Sequence, residues 1–583
     1  MKLATYIAQL LDEKGIKTVF GYQGSSVSHI IDSVCTQGKI RFVETRHEQA
    51  AAFAANGYAL AGTGVGVAIS CSGPGVTNLI TGVADAWYDS LPCLFICGQV
   101  STRELRIDPN MRQLGFQELD AVALVSSITK YAVTVRSADR IAYELEKAFY
   151  YMQNGRPGPV LVDIPHDVQS ANINPEELEH FRAPKCPDGY GDVFDSAYAV
   201  MEEMSRSRKP VILLGGGCQK LTNRLEIGRY LESMGIPVVV SYRGKDTVRN
   251  DSSIYCGTVG VYGDRCANWA VKYCDYLLVL GSRLDGRQTG DGQLLLAENA
   301  KIVVVDIDPV ELRNMPQRYN KVNCDVDDFL KAAMCCTHNP ACGQWLNLIK
   351  RWQKRYPSEK EYRIKERVNP NLLLKTVSQI MPENTVYALD VGQNQLWGNV
   401  SICVKNGQKL LQSCGLGTMG FALPAAIGGY YATYKIPVCV SGDGGFQMNL
   451  QELQTIAYYQ IPVKILILNN QSLGLIRIYQ GKALQGRCFG SVEGFGSPNY
   501  RLLAAAYGID YLKITDNEFG NELSWVLHKE GPCLIEVCVS QESTNYPEPT
   551  YRSTIDNQSI VLSDEEKKKI MEELNAISEQ CIQ

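Results

Sequence analysis

The sequence predicts an α/β protein of three doubly wound parallel-sheet domains, and three observations carry that expectation. Strand-like apolar runs alternate with helix-like runs along the chain, the pattern of parallel sheets covered by helices. The length of 583 residues suits about three to four domains of ordinary size. Polar and glycine-rich turns follow the strand-like runs, and the carboxyl ends of parallel strands are where such sheets open their ligand crevices.

The first block, residues 1–180, opens with an amphipathic helix running into a strand over residues 1–21. Residues 41–44 are strand-like, and an Ala-rich helix follows from Arg46 to Tyr58, with Glu48 at its start. By itself, a first-turn glutamate needs no more than the helix dipole to explain it. A strand at 65–70 leads to the tight turn Ser72-Gly73-Pro74-Gly75-Val76-Thr77-Asn78, which opens a helix, and a strand at 159–165 closes the block. The polar stretch 169–191 reads as a linker. The second block, 190–345, carries strands at 210–214, 237–241, 276–280 and 302–306. It ends near Cys335-Cys336-Thr337-His338 and Cys342, whose spacing fits no common zinc pattern, and the charged segment 351–366. The third block, 365–550, contains two apolar runs, 438–441 and 463–468, that bracket a helix-like stretch with Leu450, Leu453, Ile456 and Ala457. That is a βαβ unit. A tail, 551–583, is polar and then helix-like over 563–578.

Composition excludes several classes of function. Hydrophobic residues make up 45% and charged residues 20%, as in a globular protein. The balance of 57 basic to 62 acidic residues, net −5, carries no nucleic-acid footprint and no polybasic membrane patch. No apolar run is long enough to span a bilayer, and residues 1–21 lack a signal-peptide core, so the chain reads as cytoplasmic. The 20 cysteines are scattered, mostly in apolar runs such as those holding Cys93, Cys97, Cys274 and Cys439, which reads as reduced core thiols. His47-Glu48 begins like a zincin motif, but Ala51 stands where the second histidine must be. Gly215-Gly216-Gly217-Cys218 lacks the full dinucleotide fingerprint, and Gly244-Lys245-Asp246 lacks the Ser/Thr of a P-loop.

The βαβ unit holds the strongest chemistry. Its first strand feeds Gly442-Asp443-Gly444 and, 24 residues later, its second feeds Asn469-Asn470. Asp443 and the Asn470 amide oxygen are hard ligands suited to Mg²⁺, an ion that takes few protein oxygens and completes its shell with water and phosphate. The glycines let backbone approach a phosphate closely. The stretch therefore predicts a Mg²⁺-diphosphate site.

This pattern resembles the diphosphate-binding motif of thiamine diphosphate enzymes. The resemblance implies pyrimidine-binding, central and diphosphate-binding domains in that order. It implies that Gly392, Gln393, Asn394, Gly417, Met419, Gly442, Asp443, Gly444, Gly445, Asn470, Ser472 and Gly474 surround the cofactor. Asp443, Asn470 and Ser472 would hold Mg²⁺, and Met419 would wedge beneath the cofactor. Glu48 matches the family glutamate that hydrogen-bonds the aminopyrimidine and promotes its imino tautomer, which deprotonates the thiazolium carbon.

The resemblance covers roughly residues 1–550 and is nearest to acetohydroxyacid (acetolactate) synthase catalytic subunits and related pyruvate-dependent carboligases. It implies Gln117 beside the reacting centre, Phe116 shaping the pocket and Arg287 engaging an acceptor carboxylate through a bidentate guanidinium. Tyr479 stands where the synthases have a tryptophan that helps select the acceptor. The central domain often holds FAD without a redox role in this group, and Arg156, Arg283, Asp306 and Asp325 are the candidates for it. Departures are Tyr262 and Asn394 in place of histidines and Gln23 in place of a proline. The segment 103–113 and the tail from Asn545 look more like thiamine diphosphate enzymes of sugar biosynthesis. The expected reaction is decarboxylation of pyruvate with transfer of the two-carbon unit to a second 2-keto acid. Acetyl transfer to a keto sugar nucleotide and diketone cleavage are the alternatives. A non-catalytic binding subunit would not need Glu48, Asp443 and Asn470 together. Family logic places the cofactor between the first block of one chain and the third block of another, implying a homodimer or homotetramer.

Overall fold

A computed structural model describes residues 1–62, 64–108, 110–184, 193–290, 292–336, 342–547, 554–558 and 562–579. Its strands form three six-stranded, wholly parallel sheets. The first holds β1 (Thr18–Gly21), β2 (Arg41–Glu44), β3 (Gly66–Ser70), β4 (Cys93–Gln99), β5 (Tyr131–Thr134) and β6 (Val160–Pro165), in the order β2-β1-β3-β4-β6-β5. The central sheet holds β7 (Pro210–Leu214), β8 (Val238–Val240), β9 (Tyr255–Thr258), β10 (Tyr276–Leu280), β11 (Lys301–Asp306) and β12 (Asn320–Asn323), in the order β12-β11-β10-β7-β8-β9. The third holds β13 (Thr385–Leu389), β14 (Lys409–Gln412), β15 (Ile436–Gly442), β16 (Lys464–Asn469), β17 (Asp510–Ile514) and β18 (Cys533–Cys538), in the order β14-β13-β15-β16-β18-β17. The third sheet repeats the topology of the first. The central sheet has the order of a dinucleotide-binding fold. The inner strands β3, β4, β6, β10, β13 and β16 are buried throughout, which explains why they read as continuous apolar runs rather than as alternating ones.

The first and third sheets share one core. The helix Glu48–Ala61 is buried on nearly every face because the first sheet lies on one side of it and the helix Ala422–Thr433 on the other. Only small residues allow that crossing. A Cβ on Gly57 would lie 2.4 Å from Ala425 O, and one on Gly428 would lie 1.9 Å from Ala54 O. Phe53 and Phe421 meet edge to face beside it, with ring centroids 5.5 Å apart.

The central sheet has its own core, and the C-terminal segment joins it. The charged run expected after the third block forms the helix Asp564–Glu579, whose Ile570, Leu574 and Ile577 lie on one stripe and are buried against this core. Glu573 accepts the Trp352 indole N–H (2.9 Å) and pairs with Arg355 (2.8 Å) on the helix Gly343–Arg355. The chain thus returns to its central sheet after completing the third. Part of the Cys335–Cys342 cluster, the Asp291 side chain, and Glu548 and Pro549 lie outside the described residues. The described cysteines are free thiols, and no helix among the described residues is long and apolar enough to cross a membrane.

The Gly428 contact is with backbone, so relief requires the two helices to move apart. Gly428→Ala is expected to cost about 3 kcal/mol by overpacking, read as a lowered thermal midpoint. Gly228 lies in the helix Arg224–Met234, and a Cβ there would project into open space with nothing within 4 Å. Gly228→Ala should leave the midpoint unchanged or raise it by up to about 1 kcal/mol of helix propensity.

Candidate active site

Each sheet has a point near its middle where the strand order reverses, and polar side chains gather there. In the third sheet that point lies between β13 and β15, where a doubly wound sheet opens its crevice. β13 ends in Asp390, which is buried and accepts the Ser441 hydroxyl (2.8 Å) and the backbone N–H of Gly420 (2.8 Å) and Val391 (2.8 Å). Burial pushes it up to about 6. Gly392 follows at φ +141°, a conformation that favours glycine, and the helix Gln393–Ser401 begins. β15 delivers Gly442-Asp443-Gly444-Gly445. β16 delivers Asn469-Asn470-Gln471-Ser472 and then the helix Gly474–Ala483.

Asp443 is 1% exposed and keeps the Ser497 hydroxyl (3.1 Å) and the Gly444 N–H (3.2 Å) as partners, and burial pushes it up to about 6. Asn470 Nδ2 donates to Gln393 Oε1 (3.0 Å), while its Oδ1 accepts the Ser472 N–H (3.2 Å). Gln471 between them is held at φ +54°, a strained value for a non-glycine residue. The Ser472 hydroxyl is buried with no hydrogen-bond partner. A desolvated carboxylate and an orphaned hydroxyl side by side are what a hard cation would relieve. Among the described residues no three His, Cys, Asp or Glu side chains converge, so an ion here would depend on oxygens from a ligand as well.

The floor of this crevice is apolar. A Cβ on Gly444 would meet Leu473 at 2.4 Å, with the Met419 methyl and Phe495 at 3.6 Å, so Met419 and Gly444 are neighbours. Gly417 stands at φ +75° with open space around it. Asn394 is spent partly on backbone, its Nδ2 donating to Asp390 O (2.6 Å) and lying 3.4 Å from Val440 O.

In the first sheet the reversal falls between β1 and β3. Glu48 opens its helix there, 7% exposed, and its Oε2 accepts Asn78 Nδ2 (3.0 Å). Gly73 sits at φ +60°, and a Cβ on it would lie 3.0 Å from Gln117 Cβ. Gln117 is itself at φ +65°. Glu48, Asn78, the Gly73 turn and Gln117 thus form a second group, with Phe116 87% exposed at its rim. Sequence reasoning misses Asn78 as the partner of Glu48. Its only sequence signal is its place in the turn that opens the helix Pro74–Tyr88. The Glu48 and Asp443 groups are carried by different sheets, and no hydrogen bond among the described residues joins them. Tyr479 is 65% exposed on the helix Gly474–Ala483.

The central sheet reverses between β7 and β10. Here the loops after both strands touch, since a Cβ on Gly215 would lie 2.1 Å from Gly281 O. Beside them is a cavity of about 1050 Å³ lined by Arg156, Arg283, Arg287, Asp306 and Asp325, with Lys220, Arg224, Arg243 and Lys409. Burial lowers Lys220 and Lys409 to about 8 and raises Asp306 and Asp325. Arg156 is largely engaged, bonding Ser90 (2.8 Å), Asp308 (3.1 Å) and Glu311 (2.7 Å) across two sheets. Asp285 takes the backbone N–H of Arg287 (2.8 Å), and among the described residues no carboxylate pairs with the Arg287 guanidinium. The four cationic residues 220, 224, 243 and 409 escape sequence reading because they come from distant parts of the chain, Lys220 and Arg224 around the start of the helix Arg224–Met234, Arg243 after β8 and Lys409 at the start of β14.

Three family models match the chain. The thiamine pyrophosphate enzyme N-terminal TPP binding domain matches residues 1–124, the central domain 198–333 and the C-terminal TPP binding domain 390–537. Among relatives, an acetolactate synthase large subunit of Cyanidium caldarium is 35% identical over 557 residues, covering 93% of this chain and 94% of the relative. The acetolactate synthase isozyme 2 large subunit of Escherichia coli K12 is 34% identical, covering 94% and 97%. An acetolactate synthase large subunit of Lactococcus lactis subsp. lactis is 32% identical, covering 93% of each chain.

A Cβ on Gly474 would lie 1.8 Å from Gln393 Oε1 and 2.9 Å from Asn470 Nδ2. Gln393 can swing away, so Gly474→Ala should fold normally while breaking the Gln393–Asn470 bond. The expected result is thiamine diphosphate binding weakened about tenfold at an unchanged thermal midpoint, measured by calorimetric titration.

Proposed function

Because the chain belongs to the thiamine pyrophosphate enzymes, alongside the acetolactate synthase large subunits, we propose that it decarboxylates pyruvate and transfers the two-carbon acyl unit to a second 2-keto acid. The observation that carries this reading is the orphaned Ser472 hydroxyl beside Asn470 and the buried Asp443. Those oxygens fit a Mg²⁺ ion shared with a diphosphate, while Gly442, Gly444 and Gly445 keep side chains away from it. Thiamine diphosphate, when bound, supplies the carbon nucleophile and the electron sink for decarboxylation.

Glu48 holds a proton at its carboxylate for exchange with the pyrimidine ring. Asn78 fixes Oε2, which leaves Oε1 for that task. Gln117, seated on the Gly73 turn, and the exposed Phe116 orient the reacting carbonyls. Arg287 binds the acceptor carboxylate, and Tyr479 sets the acceptor's size. Acetolactate synthases among the relatives favour a 2-keto acid over a keto sugar nucleotide as that acceptor. The central cavity fits a dinucleotide such as FAD in a non-redox role. Its partly desolvated Lys220 and Lys409 suit a diphosphate, with Arg283, Asp306 and Asp325 at its walls and Arg156 bracing the rim. The Glu48 and Asp443 groups belong to different sheets, and Phe116, Met448 and Tyr479 are exposed apolar residues. Both facts support a homodimer in which one chain's first sheet completes the other's third. The free thiols support a reducing, cytoplasmic setting.

Product analysis with ¹³C-pyruvate, thiamine diphosphate and Mg²⁺ tests the reading. Acetolactate from pyruvate alone is expected, and turnover only on addition of a keto sugar nucleotide would sink the acceptor assignment. Glu48→Gln should lower turnover by about 10²–10⁴-fold without changing cofactor affinity or the thermal midpoint. Asp443→Asn should raise the half-saturating Mg²⁺ concentration about 100-fold, and Ser472→Ala about tenfold, read from activity against metal titrations.

A further inference from the structure

The loop 413–420 carries Gly417 and Met419 into the proposed cofactor crevice. Its own sheet holds it at one end, where the Gly420 N–H donates to Asp390 (2.8 Å). Its other end rests on the first sheet. The helix Pro74–Tyr88 ends directly beneath it, so closely that a Cβ on Gly415 would lie 2.6 Å from Tyr88 Cβ. Asp85 Oδ1 accepts the Ser413 hydroxyl, and the Thr418 hydroxyl lies 3.2 Å from the same oxygen. Ser413 Oγ in turn accepts the backbone N–H of Gly417 (3.1 Å) and Thr418 (3.0 Å). Asp89 accepts the backbone N–H of Cys414 (3.0 Å) and Gly415 (2.9 Å). Asn56 Nδ2 completes Asp85 from the helix Glu48–Ala61 (3.0 Å).

Two features make this more than loop packing. Carboxylates at a helix C-terminus oppose the helix dipole, and both are buried, Asp85 at 0% and Asp89 with 4% of its side chain exposed. Burial and the Asp89 charge push Asp85 well above the usual carboxylate range. That cost is offset mainly by the hydroxyls and amides of the loop, the groups that fix its path, with Asn56 at Asp85 and the Arg243 guanidinium 3.9 Å from Asp89 adding to it. The same helix holds Glu48 through Asn78 near its other end, roughly 10 Å away along the axis at 1.5 Å per residue.

We propose that Asp85 and Asp89 are positioning residues for the reaction assigned above. Carried by the first sheet, they set the height and rigidity of the loop that presents Met419 and Gly417 of the third sheet to the cofactor. This rests on the thiamine diphosphate reading.

The test compares Asp85→Ala, Asp85→Asn, Asp89→Ala and Ser413→Ala in the full-length enzyme. Two readouts are needed: calorimetric titration with thiamine diphosphate and Mg²⁺, and hydrogen exchange across residues 413–420. The alanine variants are expected to lose amide protection at 414–418 and to bind cofactor about tenfold more weakly, with turnover recovering at saturating cofactor. Asp85→Asn keeps an oxygen for Ser413 and should stay within about threefold of the parent. If Asp85→Ala does not fold, Ser413→Ala cuts the same link from the loop side. A lowered thermal midpoint with unchanged affinity and exchange would overturn the proposal. Failure of the parent enzyme itself to bind thiamine diphosphate would instead sink the functional reading and leave the exchange data to decide the clamp.

Discussion

Where the helix Glu48–Ala61 crosses the helix Ala422–Thr433, Gly57 and Gly428 bring the two backbones into contact. At those two positions the crossing leaves no room even for a methyl, and it merges the cores of the first and third sheets into one. Everything that links those sheets depends on it. The Arg46 N–H reaches Glu452 (2.9 Å), Asn449 reaches Gln49 (3.3 Å), and the Asp85 and Asp89 carboxylates reach the loop 413–418 only because the seam fixes their separation.

That rigidity places two half-sites without joining them. Each lies at the reversal of its sheet, where adjacent strands send their connections to opposite faces and leave an open crevice. The first sheet offers a carboxylate oriented by an amide. The third offers a desolvated carboxylate, an amide and an unpartnered hydroxyl. Desolvated polar groups of this kind are costly unless they are paired.

The third-sheet group was legible in sequence because its parts stand at the ends of successive strands of one βαβ unit, and local spacing alone brings Asp443, Asn470 and Ser472 together. Gly417 and Met419 were legible only through resemblance, since their loop is placed by contacts elsewhere. Glu48 by itself reads as an ordinary first-turn glutamate and stands out only through resemblance, and the Ala-rich composition of its helix reflects the helix seam. The charged C-terminal run announced a helix, but nothing in it named the central sheet as the partner of Ile570, Leu574 and Ile577.

The sequence by itself determined the three α/β units and the strand ends that carry polar side chains, because strand periodicity and turn chemistry act over a few residues. Only the tertiary structure decided which carboxylates serve which loop. Asp85 and Ser413 lie 328 positions apart, Arg156 and Glu311 lie 155 apart, and the cationic lining of the central cavity comes from elements far apart in the chain. Such pairs leave no local pattern, since burial and hydrogen bonding select them only after the sheets have packed.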